Sequence, residues 1–144
     1  MGNFYYINTS LPLPLQLLAQ IVDAVAVICY SSTCAGHEVA WTSAVPSIRL
    51  VIVDSAEANI RLKLQHTDRH GLLNTVAHGE AVLALRKHWP MLRNALILEA
   101  DYRWARDDWS ESRARAAVDN VAKFVRRGRW QYLRLGYVPV GDSH

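Results

Sequence analysis

The sequence predicts an α/β domain with a mostly parallel sheet covered by helices on both faces. Two observations carry that expectation. Short β-rich segments alternate with helical ones along the chain, which is the pattern of crossover connections between parallel strands. One of those segments, Ala95-Leu96-Ile97-Leu98, is apolar without alternation, as a strand covered on both faces must be. No repeat, low-complexity tract or Gly/Ser-rich linker divides the 144 residues, a length at which one domain buries most of its apolar surface. Residues 1–144 are read as a single domain.

The elements follow in order. Asn3 to Asn8 (NFYYIN) is aromatic and β-branched and opens the chain as a strand. Pro12 and Pro14 suit the start of a helix and not its interior, so the stretch LQLLAQIVDAVA is helical from about Pro14. Val25 to Tyr30 reads as a second strand. Ser31 to Ser47 is punctuated by Gly36 and Pro46, and Glu38 to Val45 within it is the candidate for a short edge strand. Ile48 to Val53 is a central strand ending in Asp54 and Ser55, and residues 56–66 form a short helix or loop. Leu72 to Trp89 is a helix closed by Pro90, with apolar positions at 72, 73, 76, 82, 83 and 85 and an Ala-rich middle. Asn94 to Ala100 is the buried strand.

The last helix carries the best local signals. Asp107, Asp108 and Ser110 stand at its start, where acidic and hydroxyl side chains complement exposed amides. Glu111–Arg115 and Asp119–Lys123 are i,i+4 pairs in the favourable order. Arg126 and Arg127 close the last turn and Gly128 stands where the chain turns away. Trp130 to Val138 is the final strand.

Composition narrows the class. The formal charge is +3 and the pI near 9.1, with nine Arg or Lys against five Asp or Glu between Asp101 and Gly136. Such a balance favours anionic partners without choosing among them. No apolar run approaches the roughly 18 residues that span a bilayer. The opening MGNFYYINTS lacks a basic region followed by an apolar core, so a cytoplasmic location is expected. Cys29 and Cys34 are spaced to close a small loop, but reduced thiols are the expected state in that compartment.

In parallel sheets, ligands bind outside the carboxyl ends of the strands. This places Asn8, Asp54 and the pair Glu99 and Asp101 along one rim. Residues i and i+2 of an extended chain project to one side, so both carboxylates of the pair reach one ligand. Two hard oxygen donors suit Mg²⁺ or Mn²⁺ bridging a diphosphate, and the ion would neutralise charge on a leaving nucleoside diphosphate. The competing reading is a strand end with two solvated acids. Asp54 is open between a ribose or base contact and an ordinary turn residue. His78 is open between a nucleotide-orienting role and a packed or hydrogen-bonded helix histidine. Tyr102 and Trp104, just beyond the carboxylates, suit stacking on a sugar or base, with a partly buried lid as the alternative. His66 and His70 are four apart, but without a catalytic Glu they read as a solvated loop or helix start. No Gly-rich phosphate loop and no nucleophile elbow is visible.

Three blocks resemble glycosyltransferase family 25, which includes the lipopolysaccharide and collagen galactosyltransferase types. Phe4-Tyr5-Tyr6-Ile7-Asn8 looks like that family's opening strand, Gly71 to Leu85 like its histidine-bearing helix with His78 in the matching place, and Asn94 to Asp101 like its metal-binding strand. Trp130 to Tyr137 is a weaker echo of a later strand. The resemblance implies a GT-A-like, Rossmann-like nucleotide-binding half and a metal-dependent transferase using a nucleotide sugar such as a UDP-sugar. It implies Mn²⁺ or Mg²⁺ on Glu99 and Asp101, and a nucleotide site formed by Ile7, Asn8, Thr9, Asp54 and His78. No catalytic residue is assigned. The sequence departs from the family pattern in having Ala100 as the middle residue of the metal-binding triplet and Ala77 before His78. The chain also ends soon after Tyr137, so the acceptor half of that family has no counterpart in it. A truncated non-catalytic domain, binding a nucleotide sugar or a partner chain that completes the fold, is therefore the alternative expectation. A homo-oligomer would serve the same end. A basic nucleic-acid-binding module ranks last, for want of a recognised motif.

Overall fold

The structure is a computed structural model and describes residues 11–57, 70–99 and 110–128. The strands expected over 3–8 and 130–138 lie outside the described residues. Within them, helices and strands alternate in the order α1 (Leu13–Ala19), β1 (Ala24–Cys29), α2 (Cys34–Ala44), β2 (Leu50–Asp54), α3 (His70–His88), β3 (Ala95–Glu99) and α4 (Glu111–Arg127). The three strands form one parallel sheet in the order β2-β1-β3. This is the α/β architecture that the alternation of segments anticipates.

β1 is the hub because every one of its residues is buried. Its side chains alternate between two cores. Val25 and Val27 join Leu15, Leu17 and Leu18 of α1, Trp41 of α2 and Val118 of α4. Ala24, Ala26 and Ile28 join Ala77, Ala81 and Leu85 of α3. Three helices therefore cover one face and α3 covers the other. The chain leaving β1 turns to the first face and the chain leaving β2 to the second, as right-handed crossovers in opposite directions require.

Each helix has a local cause. α1 starts at its prolines, with Pro12 as N-cap. It stops at Ala19, well short of the LQLLAQIVDAVA run, because Asp23 is claimed by a distant turn. The Asp23 carboxylate accepts the amides of Arg93 (2.8 Å) and Asn94 (3.3 Å), while the Asp23 amide donates to Asn94 Oδ1 at 2.9 Å. That clasp fixes the start of β1 beside the start of β3. α4 is capped as the sequence anticipates. Ser110 Oγ accepts the Arg113 amide at 3.2 Å, Arg115 reaches Glu111 at 2.9 Å, and Gly128 takes the left-handed conformation at φ 67°.

Two expectations are corrected. Glu38 to Val45 is not an edge strand: residues up to Ala44 belong to α2 and Val45 caps it, and Cys34, His37, Trp41 and Ala44 lie on the helix's covered side at helical spacing. Trp41 is fully buried and anchors that helix to the sheet. On α3, Val82 and Leu83 are 43% and 64% exposed, and the helix meets the sheet through Ala77, Ala81 and Leu85. The two alanines of this i, i+4, i+8 stripe suit the low relief of Ala24 and Ala26 beneath it, and Leu85 closes its end. Among the described residues, no helix is long and apolar enough to cross a membrane.

Candidate functional site

The carboxyl ends of the strands carry the chemistry-bearing residues, but the sheet divides them between its faces. Register pairs Cys29 with Asp54 and Ile28 with Glu99. Ile28 and Cys29 point to opposite faces, and their partners follow them. Glu99 therefore stands on the α3 face and Asp54 on the α2 face. Asp54 and Glu99 both stand at the carboxyl ends of their strands, as anticipated from sequence, while the Asn8 and Asp101 of the expected rim lie outside the described residues. Asp54 and Glu99 do not form a single cluster.

On the α3 face, His78 Nε2 lies 3.2 Å from Glu99 Oε2. These residues are 21 positions apart in sequence and meet because α3 lies across β1 and ends near the start of β3. Their side chains are 37% and 44% exposed, so the pair is open to a ligand from solvent. A neutral imidazole donates Nε2–H to the carboxylate, and a protonated one makes the contact an ion pair. Either way the contact uses one carboxylate oxygen. His78 is thus hydrogen-bonded, and its partner is the residue the sequence singled out for a metal.

On the α2 face, Asp54 works as a turn residue. Its Oδ1 accepts the amide of Ala56 at 2.9 Å and that of Ser31 at 3.1 Å, tying the loop after β1 to the end of β2. Ser55, which is buried, donates its hydroxyl to the Cys29 carbonyl at 3.1 Å. The same face holds a disulfide between Cys29 and Cys34, with 5.3 Å between the Cα atoms. The thiols expected to be reduced are joined. The spacing allows this bond, and reduced thiols are expected only because a cytoplasmic location is. A strand ending at Cys29 and a helix beginning at Cys34, with a four-residue turn between them, is the arrangement that brings the two together.

Asp101, Ile7, Asn8, Thr9, Tyr102 and Trp104 lie outside the described residues. Among the described residues, no group of three or more His, Cys, Asp or Glu side chains gathers where a metal ion could be held. His37 on α2 is half-buried, and loss of solvation lowers its pKa below the ordinary 6.5. No protein-family model, curated protein or solved structure matches the chain.

Proposed function

We propose that this chain is a Rossmann-like, GT-A-type domain that binds a nucleotide sugar with a divalent cation and transfers the sugar from it. The observation that supports this reading is the His78–Glu99 contact at the carboxyl end of a parallel strand, where such sheets take their ligands. Glu99 has the chemistry that Mn²⁺ or Mg²⁺ needs: a hard carboxylate oxygen, exposed at a strand end and oriented by a hydrogen bond. Asp101, two residues on, would be the second protein ligand. Mg²⁺ commonly keeps one or two carboxylates and fills its remaining positions with phosphate oxygens and water, so a pair suffices where a cage of three is not formed. The ion, when bound, would neutralise charge on the nucleoside diphosphate as it leaves.

His78 acts through Glu99 and is a positioning residue. Holding Oε2 limits how the carboxylate turns and would leave Oε1 available to a cation. Asp54 belongs to the fold of the α2 side and is given no part in nucleotide binding. The resemblance to glycosyltransferase family 25 supports the donor class, and the strand end supports the place.

Calorimetry with UDP, in Mn²⁺ and then in EDTA, tests the assignment. The expected result is UDP binding that depends on Mn²⁺ in the wild-type chain and loses that dependence in Glu99→Gln. His78→Ala should weaken Mn²⁺-dependent binding by about tenfold, the scale of a lost orienting contact. No heat with UDP and Mn²⁺, or equal binding by the Glu99→Gln chain, overturns the metal role. Release of sugar from a UDP-sugar above the buffer rate, lost in Glu99→Gln, is the expected sign of transfer chemistry; binding without any turnover overturns the transferase half of the proposal.

A further inference from the structure

We propose that Cys29 and Cys34 form a reversible redox pair that exchanges with a dithiol, with Cys34 as the sulfur that is attacked and Cys29 as the resolving thiol. The pair lies on the α2 face of the sheet, away from His78 and Glu99, and is independent of the function proposed above. Four observations carry it.

The two sulfurs differ in access. Cys29 is the last residue of β1 and only 1% exposed, whereas Cys34 is partly exposed. An incoming thiolate can reach the Cys34 side and not the Cys29 side. Cys34 is also the first residue of α2, an eleven-residue helix. The helix dipole there favours a thiolate on Cys34 once the mixed disulfide is resolved.

The reduced state is already provided for. Cys29 Sγ lies 3.6 Å from the Val53 carbonyl oxygen. In the disulfide this sulfur has no proton to give. Once reduced, the buried thiol gains a donor whose acceptor is in place. The loop between the cysteines is held without the sulfur bond as well. Thr33 donates both its amide (2.8 Å) and its hydroxyl (3.0 Å) to the Tyr30 carbonyl, and the Ser31 amide is held by Asp54. Reduction therefore leaves the two thiols near each other and ready to close again.

The exchange balances as follows. A thiolate of the dithiol attacks Cys34 Sγ, a new S–S bond forms, and the Cys29–Cys34 bond breaks. Cys29 leaves as a thiolate and takes up a proton. The second thiol of the reductant then attacks its own sulfur in the mixed disulfide, releasing the Cys34 thiolate. The protein gains two electrons and the dithiol becomes a disulfide.

Differential alkylation of the native chain tests the proposal. Dithiothreitol without denaturant should reduce the pair completely, tryptophan fluorescence and circular dichroism should stay native, and diamide should restore the disulfide. In the reduced wild-type chain, brief iodoacetamide treatment followed by peptide mapping should label Cys34 at least about tenfold faster than Cys29, as their access dictates. Cys29→Ala, which keeps a small apolar side chain in the buried site, should retain the fast label at Cys34. Resistance to dithiothreitol until denaturant is added overturns the proposal, because the bond is then a fixed staple. So does equal labelling of the two sulfurs, or loss of the native signals on reduction.

Discussion

His37 shows how one side chain on α2 couples burial to pH. Its pKa lies below 6.5 in the folded chain because burial penalises the imidazolium, while the unfolded chain takes up the proton near 6.5. Between those two values the unfolded state binds more protons, so acid favours unfolding there. Above 6.5 both states carry a neutral ring and the residue is silent. The expected outcome is a urea midpoint that falls between pH 7.5 and pH 5.5, with a smaller fall in His37→Gln. Identical pH dependence in the two chains would remove His37 as a source. The same scale shows what a sequence can and cannot disclose. Glu99 is legible because an apolar run ends in a carboxylate. Its contact with His78 is not, since it arises only when the helix joining β2 to β3 is folded back along the strand it leads into. Asp54 is visible as a strand-end acid, but its part in holding the Ser31 amide needs the β1–β2 register to be known.

At the scale of elements, helices with capping chemistry declare themselves and helices defined by packing do not. α4 has Ser110, its Glu111–Arg115 pair and Gly128, and each acts as the sequence suggests. α2 has no side-chain cap at its start, and its inward stripe is interrupted by His37, so only Trp41 in the core reveals it. α3 misleads in another way. Its large apolar side chains at Val82 and Leu83 face outward while alanines meet the sheet. Ala77 and Ala81 are fully buried against a face that includes Ala24 and Ala26, and this low relief lets helix and strand approach closely. Ala81→Leu should therefore cost about 1–3 kcal/mol through overpacking. Leu83→Ala, which deletes a larger side chain from an exposed position, should stay within about 0.5 kcal/mol. Chemical denaturation of both chains checks the order. The reverse ranking would mean that Leu83 is covered and the alanine stripe is not the seam.

For the whole molecule, the decisive feature is that one strand serves two cores. β1 sends Val25 and Val27 to the α1, α2 and α4 side and Ala24, Ala26 and Ile28 to α3. That division also separates the two chemistries at the rim, because the alternation that assigns core residues continues into Cys29, Asp54 and Glu99. A change deep in one core should thus be felt through β1 at both sites. Trp41 is the sharpest probe. Among the described residues it is the largest fully buried side chain, and it joins a cluster with residues of α1, β1 and α4. Truncation of such a residue costs about 3–5 kcal/mol, against a total of about 5–15 kcal/mol for an ordinary domain. Trp41→Ala should lose a large share of the stability, and Trp41→Phe, which refills most of the space, should lose less. If β1 transmits the change, hydrogen exchange in Trp41→Ala should speed up on both sides: at the Ser31 amide beside the disulfide, and at the amides of β3 leading to Glu99. Faster exchange confined to α2 would show instead that the two faces open separately, and that the sheet isolates its sites as well as positioning them.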